Sequence, residues 1–539
     1  MAITNLVAFL LMFLRAVSTS EYLGIDCGSA NSYIDDSGIK WVGDGAYVQS
    51  GESHTAKNSP VSSLLSTLRV FKSKNKNCYN IPGFQGIKVL LRALFYYGNY
   101  DSNSSPPFFH LLFDGNKWTT VQNENDNWKY YDIIYVPKRQ NISVCLAQIN
   151  PDQFPFISGL EVWSLDSNMY NQIDSSRALI LKQRYAFGSG DGISFLTDPY
   201  QRYWFTSRGN GLVSVSNRAS SVDVTQTKDQ VPLEVMLNAV ATPSTNSNLL
   251  LSTAGLPSIQ EVPIYLNMYF TEVQNLSTSS DLRRFIVMID NKVIDAVNPA
   301  YQTAVETTYA NINASSNTPI VLAATSDSTL PPLISGLELF TISDPLSNST
   351  TNMTDVEGLA SLQEGFPVLK EWSGDPCLPA EYPWDWVSCT NETTPRITSL
   401  LLSGYNLFGP LPNFSSLDAL QTISSENPYL CNITCPKPPS EHHIQKWLVG
   451  VLSSVIPTLF AAAVLAAGRY WCKCSKSRKE KAKPTTGKHG RTQLRTRLRE
   501  GMQWTGTAQN VAKDVARVTT EQFTNSPDNG NAAAAPSLP

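Results

Sequence analysis

The amino-acid sequence predicts a mainly β protein: two tandem β-sandwiches, a short leucine-rich repeat stub, one transmembrane helix and a disordered basic cytoplasmic tail. Three observations carry this reading. Short alternating apolar runs, broken by Gly, Pro, Asn, Asp and Ser, fill residues 22 to 345, and long helical periodicity is scarce there. The string ISGLEVWSL at residues 157 to 165 returns as ISGLELFTI at residues 334 to 342. One run of twenty-two residues, Trp447 to Gly468, carries no charge.

Taken in chain order, Leu6 to Leu14 is an apolar run followed by Ser18 and Ser20. It is too short to span a bilayer and suits a cleaved signal peptide over residues 1–20. Two sandwich units follow, at 22–166 and 180–345. Leu160 and Val162, like Leu337 and Leu339, alternate about one acidic position, so each copy of the string reads as a short strand with one buried face. Upstream stand FFHLLFDGNKW with Asp114 and RRFIVMIDNKVI with Asp290, offset by 176 residues, against 177 for the ISGLE strings. Two matches in one order at nearly one offset imply duplication of a unit of about 150 residues. LLRALFYYGNY, residues 90–100, parallels PIYLNMYFTEV, residues 263–273, with Tyr96 opposite Tyr269.

After a linker at 346–370, residues 371–436 hold EWSGDPCLPAEYPWDWVSC and ITSLLLSGYNLFGPLPNFSSLDALQTI. Leu400, Leu402, Asn406, Gly409 and Pro412 fall in leucine-rich register: leucines fill a solenoid interior while the Asn side chain satisfies backbone along the turn. One full repeat is too few to bury its face, so disulfide caps are expected. Cys377 with Cys389 and Cys431 with Cys435 are close pairs, whereas Cys27, Cys78 and Cys145 leave one thiol unaccounted for.

At about 1.5 Å per residue, Trp447 to Gly468 covers the roughly 30 Å hydrocarbon core. Seven Lys and Arg between Arg469 and Lys483 mark its cytoplasmic end, giving a single-pass type I protein at the plasma membrane. Residues 469–539 carry fourteen basic and five acidic side chains, which leaves a net −13 on residues 1–468 of a chain at −4 overall. The tail faces an anionic leaflet; Leu494, Leu498 and Met502 would share one face of a helix, and Cys472 and Cys474 suit S-acylation. Glycosylation sequons occur at Asn103, Asn141, Asn275, Asn313, Asn348, Asn352, Asn391, Asn413 and Asn432, all on the outer side.

The strings GIDCGSANSYIDDSGIKWVGD, LFYYGNY and ISGLEVWSL, repeated in weaker form over residues 22 to 345, resemble the malectin-like ectodomain of plant receptor kinases. GDPC beside a leucine-rich stub resembles the juncture in symbiosis-receptor-type relatives. The resemblance implies two tandem malectin folds with a carbohydrate-type cleft in the loops. By likeness to malectin's diglucose cleft it points to Tyr33, Tyr96, Tyr97 and Asp152 in the first unit and to Tyr269 and Phe270 in the second. Aromatic faces suit the apolar side of a pyranose, and carboxylates its hydroxyls. Plant members are also understood to bind peptides or partner proteins.

Relatives of this kind continue into a kinase, but the seventy-one residues after the anchor hold no Gly-rich phosphate loop, HRD or DFG. No metal-spaced Cys/His cluster or HExxH is present, and Asp35 and Asp36 in YIDDSG suit a turn better than an acid–base pair. The expectation is a non-enzymatic, cofactor-free receptor-like protein that binds carbohydrate or peptide and acts with receptor kinases or other receptor-like proteins, with no nucleic-acid partner. The alternative is a non-signalling decoy or scaffold at the membrane.

Overall fold

The computed structural model describes residues 21–431 except 59, 61, 190–196, 210, 219–220, 277–279 and 348–349. The expected signal peptide, membrane anchor and tail, with Cys435, Asn348 and Asn432, lie outside the described residues. Among the described residues no helix is long and apolar enough to cross a membrane. The described residues between 21 and 402, with 413–425, belong to one compact unit, and 403–412 with 426–431 to another.

Eight strands build the spine of the first unit: β1 Tyr22–Asp26, β2 Val89–Phe95, β3 Lys129–Tyr135, β4 Gly159–Ser164, β5 Leu179–Phe187, β6 Val262–Phe270, β7 Val305–Ala314 and β8 Gly336–Ile342. They pair in the order β1, β4, β2, β3, β5, β8, β6, β7, so the second four repeat the order of the first four. Tyr33–Ile34 and Lys40–Gly43 extend the β1 edge, and Phe205–Ser207 pairs in parallel with the end of β5. The duplication extends to the smaller sheets. Lys76–Pro82, Asn141–Gln148, Phe108–Phe113 and Asn116–Gln122 pair in that order, and Leu249–Leu251, Ile320–Ala324, Phe285–Ile289 and Lys292–Val297 do the same.

Each half packs its four-stranded sheet on one face of the spine. Leu91, Phe95, Leu160 and Val162 meet Phe109, Leu111 and Val144 in the first core, while Leu266, Phe270, Leu337 and Leu339 meet Phe285, Val287 and Leu322 in the second. Burying each such side chain stabilises by about 1.5–3 kcal/mol. Two cores thus hang on one continuous sheet, a fusion that the sequence pattern did not reveal.

The repeated strings have local physical reasons. Asp114 and Gly115, like Asp290 and Asn291, all sit at positive φ between two paired strands, the conformation of a two-residue hairpin turn with right-handed twist. ISGLE is where the chain leaves a three-stranded sheet, at Ile157 or Ile334, and enters the spine at Gly159 or Gly336. The expected solvent face of that strand is absent: Gly159 to Trp163 and Gly336 to Phe340 are all buried, because the acidic position points into a second, charged layer. Register also corrects the alignment of aromatic residues. Gly159 lies opposite Leu94 and Gly336 opposite Tyr269, so Tyr269 corresponds to Leu94 rather than to Tyr96. A two-residue slip preserves which face each side chain occupies, so periodicity alone could not detect it.

Cys78 and Cys145 are disulfide-bonded across paired strands, which leaves Cys27 as a buried thiol. Cys377 and Cys389 are bonded as expected, and Cys431 is also in a disulfide. The expected linker contains a helix, Met353–Gly365, capped by the Asn352 side chain and pinned by an Asp355–Arg396 ion pair at 2.9 Å.

The GDPC segment folds back on the first half. Gly374, at φ +76°, lies against the Cys78 sulfur, where a Cβ would come within 2.6 Å. The Asp375 carboxylate accepts from the Thr351, Cys377 and Leu378 amides. Lys76, which burial pushes down to about 7, donates to the Asp375 and Leu378 carbonyls at 2.7 and 2.8 Å. In the smaller unit, Asn427 rather than Asn406 satisfies the backbone, accepting from the Leu407 amide at 2.9 Å. Asn406 is exposed at φ +53°.

Candidate ligand-binding site

The two halves meet at β3 and β5, and the pairing between them is short. Only Ile133 with Ile180 and Ile134 with Leu179 are in register, although β3 runs back to Lys129 and β5 on to Phe187. In the resulting wedge lies a cavity of about 280 Å3, lined by Glu124, Trp128 to Asp132, Leu181 to Tyr185 and Phe205.

Side chains of alternating charge cross this junction on five successive strands. Glu161 on β4 lies opposite Arg92 on β2, Arg92 opposite Asp132 on β3, and Arg184 on β5 opposite Glu338 on β8. Arg92 holds Glu161 at 3.5 Å and Asp132 at 2.7 Å; Arg184 holds Asp132 at 2.9 Å and Glu338 at 2.6 Å. None of these side chains is more than 2 % exposed. Burial of so many charges is tolerable only when each has partners. Burial alone would raise the Asp132 carboxyl, but Arg92 and then Arg184 outweigh it and hold it below the ordinary value.

Aromatic side chains cover the charges. Tyr130 stacks with Trp128 at 5.8 Å and with Phe205 at 6.0 Å, and the Arg92 guanidinium lies 4.0 Å from the Tyr203 ring centroid. Two groups at the cavity are incompletely partnered. Arg184 Nη2 is buried without a hydrogen-bond partner, and burial depresses the Lys182 ammonium with no carboxylate offsetting it. Lys129 has Glu124 at 3.7 Å.

The residues expected from the sequence lie elsewhere. Tyr33 is half-buried and Tyr96 buried in one cluster with Trp41, Leu64, Leu65 and Leu94; the Ser158 hydroxyl grips the Tyr96 backbone. Tyr97 is a core residue whose hydroxyl donates to Asp101. Asp152, exposed at φ +63°, shares a second cleft of about 430 Å3 with His54, Tyr100, Asp101 and Asn103. Tyr269 donates to Glu338 at 2.8 Å and packs on Trp204, and Phe270 packs on Phe285. Tyr96, Tyr97, Tyr269 and Phe270 therefore offer no ring face to a ligand, because each strand end turns inward to fill a core or a polar layer. Asp35 behaves as a turn residue, accepting from the Ser37 and Ile39 amides and the Trp41 indole. Among the described residues no group of three or more His, Cys, Asp or Glu is placed to hold a metal ion.

Arg92, Asp132 and Arg184 were not singled out by sequence. Their signal was available: a charge in the interior of each of VLLRALF, KYYDIIY and LILKQRYAF, runs otherwise suited to buried strands, at Arg92, Asp132 and Arg184.

Fold and site together define a duplicated β-sandwich with a charged wedge between its halves. The chain belongs to the malectin-like family: the Malectin-like domain profile matches residues 25–342. It is 33 % identical over 427 residues to a probable LRR receptor-like serine/threonine-protein kinase, At1g05700, of Arabidopsis thaliana, covering 76 % of this chain and 49 % of that protein. The chain thus spans about half the length of this relative. It is 34 % identical over 353 residues to the uncharacterized Arabidopsis thaliana protein At1g24485, covering 64 % of this chain and 69 % of the other. Among solved structures, the plant receptor-like kinase FER matches with a TM-score of 0.52 at 19 % identity, over 60 % of this chain and 96 % of that one. The ANX2 ectodomain of Arabidopsis thaliana matches at 0.51 and 17 %, over 60 % and 97 %. At these identities the likeness establishes the fold.

Proposed function

We propose that this chain is a non-enzymatic cell-surface receptor-like protein, anchored by one membrane helix, that binds an extracellular carbohydrate or peptide ligand and acts with partner receptors. One observation carries the reading: the wedge between the halves combines aromatic walls with a lysine, Lys182, whose ammonium burial depresses with no carboxylate offsetting it. Ligand pockets join a mostly apolar lining to a few placed polar groups, frequently at domain junctions. Similarity to receptor-like kinases supports placement at the cell surface. So does the exposure of Asn103, Asn141, Asn275, Asn313, Asn391 and Asn413, where attached glycans would meet solvent. Asn103 also lines the Asp152 cleft, so a glycan there would crowd that rival site.

The test is binding by the full chain, purified in detergent, to panels of neutral and acidic oligosaccharides and of extended peptides, repeated with Phe205→Ala. Loss of a bound ligand with an unchanged melting transition supports the wedge. Binding that survives Phe205→Ala but is lost with Asp152→Ala would move the site to the other cleft.

A further inference from the structure

We propose that the ligand of the wedge is an extended peptide bearing a carboxylate, which adds as a strand between β3 and β5. This rests on reading the wedge as the ligand site and deepens it. β3 is paired with β2 over its whole length, Lys129 to Tyr135, and β5 with β8 from Leu179 to Ala186 around a bulge at Lys182. Each strand therefore has one paired edge, while the edges that face one another are in register at only two positions and Phe205–Ser207 pairs with β5 only from Tyr185 onward. Over residues 129–132 and 181–184 two strand edges border one cavity. Four residues of strand span about 13 Å, enough for a short peptide to pair along either side.

Charge selects the side chain. Asp132 is already committed to Arg92 and Arg184, and Glu124 to Lys129, so among the described charges lining the wedge Lys182 alone lacks a carboxylate partner. A carboxylate on the incoming strand would pair with the Lys182 ammonium in a charge-assisted hydrogen bond. A pyranose fits less well. The Tyr130 ring, the natural platform for a sugar face, already stacks with Trp128 and Phe205. Main-chain pairing along an open edge, with one pocket reading a side chain, is a general route to peptide recognition.

The probe is a fluorescent, end-blocked hexapeptide alternating valine and glutamate, titrated onto the full chain in detergent. Its valine–lysine counterpart, a uronic-acid trisaccharide and a neutral glucose disaccharide serve as comparisons. The acidic peptide is expected to bind, the basic one not. Lys182→Glu should raise Kd at least tenfold, and Lys182→Gln several-fold, with melting unchanged. N-methylation of alternate peptide amides, which alters no protein group, should abolish binding. Equal binding of both peptides, or an acidic peptide indifferent to Lys182→Glu and Lys182→Gln or to N-methylation, overturns the inference. So does absence of any peptide binding. If a saccharide binds instead and is lost with Phe205→Ala, the wedge stands as a ligand site and the peptide assignment alone fails.

Discussion

Glu161 and Glu338 occupy the same place in the two copies of ISGLE, yet their surroundings have diverged. Burial raises the Glu161 carboxyl, and Arg92, 3.5 Å away, offsets this only in part. Burial pushes Glu338 up as well, but Arg184 at 2.6 Å and Arg202 outweigh it, and the Tyr170 and Tyr269 hydroxyls donate to it, so it is held below its ordinary value. Duplication preserved the strand order and the hairpin, which depend on backbone and apolar pattern. It did not preserve the polar layer, which depends on single side chains and on loops such as Asp198–Arg202. The halves differ also in covalent bracing, since only the first has a disulfide among its described residues.

The largest expected effect breaks the asymmetry at its hub. Arg184→Met takes one buried ion-pair partner from both Asp132 and Glu338, and should cost about 3–5 kcal/mol in urea unfolding followed by tryptophan fluorescence. Removing the first half's brace comes next. Cys78→Ser opens a bridge between residues 67 apart in sequence and should cost about 2–4 kcal/mol, with hydrogen exchange accelerating in the first core and unchanged in the second. Smaller again is a contrast between the motif glycines. A Cβ at Gly336 would lie 2.6 Å from Val235 Cγ1, whereas at Gly159 the nearest atom is 3.3 Å away. Gly336→Ala should cost about 1–3 kcal/mol by overpacking, and Gly159→Ala clearly less, as read from paired melting curves.

The smallest effect is the pH dependence, and its sign differs between the halves. With its folded value raised, Glu161 contributes stability at low pH that is lost as pH rises from the ordinary 4.5 through the raised value. With its folded value lowered, Glu338 contributes stability present above 4.5 that is lost as pH falls through the lowered value. Glu161→Gln should therefore flatten the upper limb of a plot of melting temperature against pH, and Glu338→Gln the acid limb. The same limb flattening in both variants would erase the proposed difference.

Much of the scaffold was legible because it rests on patterns that repeat. The period-two alternation, the Asp-Gly and Asp-Asn turns and the ISGLE strings locate strands and duplication without reference to contacts. The site was less legible. Tyr96 and Tyr97 follow an apolar strand and look exposed in sequence, but the chain turns at Gly98, φ +52°, and folds both rings inward. The wedge depends on where β3 and β5 stop pairing, and no local signal in KYYDIIY or LILKQRYAF marks that point. The pairing of Cys78 with Cys145 likewise follows from neighbouring strands rather than from spacing.

That two copied sandwiches are welded through a shared charged layer, rather than tethered side by side, is tested most directly by a double-mutant cycle on Asp132→Asn and Arg184→Met in the full chain. The two side chains come from different halves and meet at 2.9 Å. A coupling energy of about 1–3 kcal/mol is expected for such a contact. Costs that add to within about 0.3 kcal/mol, as for independent sites, would contradict it.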